Sequence, residues 1–368
     1  IIIDQAHSEI HPFAKQILES LAKLWNTNTE EKGMVMSAII RSIERLVLAL
    51  GYKTAQFYDI LLPMIRISTD ITAHEAIYTM EDGLSVWLHI LQQAPKPESR
   101  FLELFINIPR IIDSTFEHTV NCIHIVDSYI LLGGEEFLSN FGSQVIVVYS
   151  LMLGHVNESG TEMIVKSMNT LVECFPIQGP MLLEELLIKI LSLIFSEKEP
   201  KSCKREYSSL IMLVIISNPN YFIQLVNKIQ QQHQIEIIPQ LLEFSFNLME
   251  KESDKTIRKK YALALCDLLP IGGKNILTRL TQIIDLVLNV LHDNQNSEIQ
   301  ELLGLDDDDD DEEDDDDPTG SVVNERKYQL YKKNREMMKV SLQEFALQKM
   351  QQAAEAYGTD FQTALSNV

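Results

Sequence analysis

The chain has 368 residues, 45% of them apolar and 23% charged, which is ordinary for a globular protein with a substantial buried core. Its net charge is −22, yet one uninterrupted run of twelve carboxylates supplies twelve of those charges and leaves the rest near −10. That balance counts against a nucleic-acid binder, which needs cations concentrated on one face, and favours a basic protein partner; no direct nucleic-acid binding is expected.

From its start the chain reads as helices. The opening "IIIDQAHSEI" has neither an initiator methionine nor a basic flank, so no signal peptide is expected and the chain reads as a stretch from inside a longer protein. In "PFAKQILESLAKLWN" the apolar residues Phe13, Ile17, Leu18, Leu21, Leu24 and Trp25 recur at steps of three and four. Pro63 in "DILLPMIRIS" and Pro109 in "FINIPRIIDS" are expected to kink or end their helices. Turn-forming stretches follow at regular intervals, among them "STD" at 68–70, "GG" at 133–134, "PIQGP" at 176–180 and "SNPN" at 217–220. Asn220 and Asp254 are the expected caps of the helices that follow them. "NILTRLTQIIDLVLNVLHD" shows one broad apolar face, and Ser297 with Gln300 is spaced as a capping box for one more short helix.

Alternating strand-type runs are absent, and about fourteen helices fall before position 292, or about 40 residues per helix pair. The expected fold is therefore all-α: a HEAT-repeat α-solenoid, or superhelix, of about seven pairs over residues 1–303. Residues 304–324 are expected to be a disordered acidic loop, and 325–368 a basic segment leading into a C-terminal helix. The four cysteines (Cys122, Cys174, Cys203 and Cys266) form no C-x-x-C pair and read as buried, reduced thiols of a cytosolic or nuclear protein. "LIMLVII", Leu210 to Ile216, is the longest apolar run and too short to cross a bilayer, so no membrane insertion is expected.

The motifs of catalysis are missing, and no enzyme activity, metal or cofactor is expected. "IGGKN" places Gly272, Gly273 and Lys274 together, but without the earlier glycine or following hydroxyl of a phosphate loop. His118 and Cys122 stand one helical turn apart, yet no further ligand has the spacing of a zinc site. Glu81–Asp82 and Glu184–Glu185 are adjacent carboxylates that diverge on a helix and read as solvated faces. Three groups of cations, at 198–205, 251–260 and 326–339, read as helix surfaces or as seats for the acidic run. The candidate interaction site is that run: Asp306, Asp307, Asp308, Asp309, Asp310, Asp311, Glu312, Glu313, Asp314, Asp315, Asp316 and Asp317. Such a run attracts basic proteins or folds back on the chain's own cations.

Four stretches carry a family resemblance: "LLPMIRISTDI", "MEDGLSVW", "IRKKYALALCDLLP" and "VSLQEFALQKMQQAAEAYG". Together they are similar to the C-terminal half of nuclear transport receptors of the importin-β (karyopherin) superfamily, over about residues 34 to 358. The resemblance implies a HEAT array that binds cargo on its concave face and releases it to Ran-GTP. It also implies Ran contacts mainly in N-terminal repeats lying outside this chain, contacts with nuclear pore proteins, and shuttling between cytoplasm and nucleus. The residues by themselves leave two other readings open: a static HEAT-repeat scaffold, and an acidic histone-chaperone-like binding protein.

Overall fold

A computed structural model of the chain describes residues 7–27, 32–302 and 321–366. Among them there are helices and turns and no strand. After a 3-10 turn at His7–Phe13 come α1 (Ala14–Trp25), α2 (Lys32–Leu50) and a second 3-10 turn, Gly51–Phe57. Then follow α3 (Tyr58–Ser68), α4 (Ala76–Gln92), α5 (Ser99–Leu104), α6 (Asn107–Ser114), α7 (Thr119–Met152) and α8 (Glu158–Cys174). The next group is α9 (Gln178–Leu182), α10 (Glu184–Phe195), α11 (Lys201–Ser217), α12 (Pro219–His233) and α13 (Ile237–Met249). The remainder is α14 (Lys255–Leu268), α15 (Lys274–Leu277), α16 (Leu280–Leu302), α17 (Val322–Lys339), α18 (Leu342–Tyr357) and α19 (Thr359–Leu365). The helices in excess of the expected number are single turns such as α5, α9 and α15, too short to leave a periodic signal.

The chain divides into two compact units, Ile1–Thr170 with Asp316–Leu330, and Leu171–Asp315 with Tyr331–Val368. In the first, α2 packs on α4 and α4 on α7, while α3 and α6 cover the same helices from another side. In the second, α11 packs on α14, and α14 on both α16 and α18.

The repeat is visible in the polar contacts that join neighbouring helix pairs. Ser37 donates to Asp82, 45 residues on, and Ser85 to Glu44, 41 residues back. Trp87 donates to Tyr129 across 42 residues, and Ser167 to Asp127 across 40. In the second unit the separations are 44 for Lys228 with Glu184, 47 for Arg205 with Glu252 and 36 for Arg279 with Glu243. A partner one repeat away, time after time, is what stacked helix pairs produce. The fold class is an all-α repeat solenoid.

Local chemistry sets the helix ends. Pro63 lies inside α3 without ending it, and Pro109 falls in the first turn of α6, where the missing N–H would have had no helical partner. Asp254 caps α14, accepting from the N–H groups of Thr256 and Ile257 at 2.8 and 3.0 Å. The cap of α12 is Asn218, which accepts from Tyr221 N at 3.1 Å, and not Asn220; Pro219 takes the first helical position and so pushes the cap one residue earlier. Ser297 starts no new helix, because α16 runs through it to Leu302. A capping pair that the sequence reading passed over stands at Ser341, whose hydroxyl accepts from Glu344 N.

The stretches that carried the resemblance are packing devices. At the end of α3, Ser68 and Thr69 are buried and return their hydroxyls to the carbonyls of Met64 and Ile65, both at 2.8 Å. Asp70 then accepts from the N–H and hydroxyl of Thr72 and turns the chain into α4. Gly83 of α4 faces this corner, and a Cβ there would stand 2.6 Å from the Ser68 Cβ. Gly83→Ala is expected to cost about 1–3 kcal/mol by forcing α3 and α4 apart. Thermal unfolding checks this, and an unchanged midpoint contradicts the close-approach reading.

Candidate interaction surface

The main polar feature of the first unit begins with two glycines. Gly134, inside α7, has φ 56° and ψ −144°, a conformation that side-chain-bearing residues avoid, so the helical ladder is interrupted there. The Leu131 carbonyl, just before the break, accepts a hydrogen bond from Arg326 Nη1 of α17. A Cβ on Gly134 would lie 3.4 Å from that nitrogen and 3.7 Å from Nη2, so the guanidinium rests on the bare backbone of the break. A cation at a helix C-terminal end meets both a free acceptor and the negative end of the helix dipole.

Ser321 anchors the start of α17. Its hydroxyl donates to the Gln92 carbonyl at the end of α4 and accepts from Asn324 N at 3.2 Å, which caps α17. For that reason α17 starts at Val322, within the stretch the sequence reading assigned to a flexible connection. Val323 is fully buried beside it. Lys327 lies near His124 and Asp127 of α7. Burial raises the Asp127 carboxyl to about 6, opposed by the hydrogen bond from Ser167 and by Lys327. Burial, and secondly Lys327, lowers His124.

In the second unit the same helix meets Glu173, near the end of α8. Lys333 donates to its carbonyl and Asn334 to its carboxylate, at 3.4 and 3.0 Å. Burial raises the Glu173 carboxyl, against Asn334, Lys260 and Lys333. Of the last cation group, Arg326 and Lys333 donate to main-chain carbonyls of the chain itself, while Lys327, Lys332, Lys333, Arg335 and Lys339 are all exposed.

The other expected surfaces are corrected in part. Asp82 is no solvated carboxylate: it binds Arg41 at 3.1 Å and Ser37 at 2.8 Å, and Glu184 binds Lys228 and Tyr221. Arg205 pairs with Glu252 at 2.8 Å, Arg258 with Asp293, and Lys260 donates to Ser209 at 3.1 Å. These cations join helices, so the groups at 198–205 and 251–260 are not purely open surface. Gly273 N, in "IGGKN", donates to the Tyr357 hydroxyl at 2.9 Å and closes a structural turn against α18. Beside it lies a small hollow of about 160 Å³ lined by Gln230, Glu236 and Lys274. A larger hollow of about 350 Å³ opens between α3 and α5, bordered by Leu62, Pro63, Ile67 and Leu104 and by the Arg66–Glu103 pair.

His118 precedes α7, and Cys122 is fully buried, its thiol pushed up to about 12 by burial. Among the described residues no group of three or more His, Cys, Asp or Glu could hold a metal ion, and no single helix is long and apolar enough to cross a membrane. The twelve carboxylates Asp306 to Asp317 lie outside the described residues.

The family model described as "Importin-11-like, TPR repeats" matches residues 37–368. The chain belongs to the importin-11-like family. TPR and HEAT units are both helix–turn–helix repeats, and the separations near 40 measured above fall at the HEAT end of that range. The chain is 26% identical to importin-11 of Homo sapiens over 79% of its own length and 30% of that protein. With importin-11 of Mus musculus it shares 25% identity over 100% of the chain and 38% of the relative. With importin beta-like protein KAP120 of Saccharomyces cerevisiae it shares 22% over 94% and 37%. The chain thus spans about a third of the length of the curated relatives it matches. In this importin-11-like chain, the contact of Arg326 with the Gly134 break was not legible beforehand; the double glycine signalled an interruption but not what would fill it.

Proposed function

We infer that the protein containing this chain is an importin-type nuclear transport receptor, which binds cargo proteins on its helical repeats and is regulated by Ran. The observation that carries this reading is the match of an importin-11-like family model to residues 37–368, nearly the whole chain. Its cargo is basic, since a chain of net charge −22 steers and pairs with cations, more weakly as salt rises. Ran contacts fall mainly in repeats outside this chain, nuclear pore proteins bind the solenoid in transit, and the receptor shuttles between cytoplasm and nucleus.

Asp306 to Asp317 act as an electrostatic screen that draws basic cargo and competes for the chain's own cations. The test is capture of cytosolic proteins by the full-length protein, with and without GTP-locked Ran. Cargo should be released by Ran-GTP, and replacing 306–317 by Gly and Ser should weaken basic cargo binding and flatten its salt dependence. Partners held equally with and without Ran-GTP would instead make the protein a static scaffold. Histone binding retained by the acidic tract alone would make it a histone chaperone.

A further inference from the structure

We propose that the seat filled by residues 321–327 in the first unit is a binding site for a basic segment of a partner protein, with this chain's own "SVVNERK" as its resident competitor. The occupant defines the chemistry of the seat. It accepts a small hydroxyl residue at the Gln92 carbonyl, an apolar side chain two residues later in the place of Val323, and an arginine three residues further at the Leu131 carbonyl. The lysine next to the arginine is exposed and adds positive charge on the side of Asp127.

Two features separate this seat from an ordinary helix contact. Its acceptors are main-chain carbonyls at the end of α4 and just before the Gly134 break, and these are present whichever chain supplies the donor. The arginine position also lies against bare backbone, because the positive φ of Gly134 disfavours any side chain there and the guanidinium sits in van der Waals reach of it.

The present occupant is lightly held. Within 321–327 only Ser321 and Val323 are buried, while Asn324, Glu325, Lys327 and the following Tyr328 are exposed. So little apolar burial makes local release of this segment inexpensive compared with the core of α4 or α7. A tethered occupant nevertheless competes at an effective concentration in the millimolar range, so an outside segment of the same pattern gains access when the tethered one is weakened. This inference holds whether or not the protein is a transport receptor.

The experiment uses the full-length protein and a fluorescent peptide copying residues 318–331, followed by anisotropy. Arg326→Glu in the protein should tighten peptide binding at least about tenfold over wild type, because the resident arginine no longer blocks the Leu131 carbonyl. The same peptide with glutamate in place of arginine should bind neither protein. Hydrogen exchange on the complex should show protection confined to residues 92–94 and 131–134. Equal binding to wild type and Arg326→Glu, or equal binding of a scrambled peptide of the same charge, would overturn the proposal. Should Arg326→Glu lose its helical circular dichroism, replacement of 321–327 by Gly and Ser, which empties the seat without adding charge, decides by the same criteria.

Discussion

Trp87→Ala is expected to destabilise the first unit by about 3–5 kcal/mol, the range for emptying a fully enclosed aromatic site. Trp87 has no exposed surface and stands edge-on to Tyr129 at 6.0 Å between ring centres. Tyr129 in turn stacks on Phe137 at 5.2 Å, and Phe105 meets both rings at 5.0 Å. The indole N–H donates to the Tyr129 hydroxyl at 3.1 Å, and that hydroxyl donates to the Phe101 carbonyl. Alanine removes the ring, leaves a cavity that α4 and α7 cannot both close, and takes away a donor from a fully buried oxygen. Hydrogen exchange in α4 and α7 measures the loss directly. Trp87→Phe should recover most of the packing while still lacking the hydrogen bond, so it should fall between the two. A cost below about 1 kcal/mol for alanine would mean that this cluster does not join the repeats.

Lys349→Met is expected to cost the second unit about 2–4 kcal/mol at neutral pH, because it strands a buried carboxylate. Asp267, on α14, is 8% exposed and paired with Lys349 of α18 at 2.7 Å. Burial raises its carboxyl even with the ammonium present, and Lys349 opposes the shift. The sign follows from that direction. A folded-state value above the unfolded one favours the protonated form, so the stability linked to it is present below the unfolded value and lost as pH rises through the folded value. Without Lys349 the folded value rises further, so the penalty should be largest near pH 7 and shrink toward pH 4. Lys349→Met combined with Asp267→Asn should restore much of the loss, since no charge is then left buried. Urea unfolding of the four proteins at both pH values checks this; a penalty independent of pH would refute the stranded-charge account.

Both predictions concern residues whose burial was partly legible in advance. Trp87 lies in the apolar stripe of "MEDGLSVWLHIL", and Asp267 interrupts the apolar run "YALALCDLL", where a carboxylate must find a partner. That the partner is Lys349, 82 residues away, was not legible, because no local pattern relates α14 to α18. The same holds for Asp82, which read as solvated until α2 was seen to bring Arg41 and Ser37 to it. Helix ends were legible to within a residue where a side chain caps its own backbone, as at Asp254. At α12 the expected cap, Asn220, gave way to Asn218, because Pro219 takes the first helical position.

By itself the sequence determined the helices, their pairing at a period near 40 residues and the lineage, because apolar spacing, turns and caps are local and recur along the chain. Only the tertiary structure decided which charges are open and which are tied, and that Arg326 fills the break at Gly134. Those outcomes depend on contacts between residues one repeat to nearly two hundred positions apart, and only packing brings such residues together.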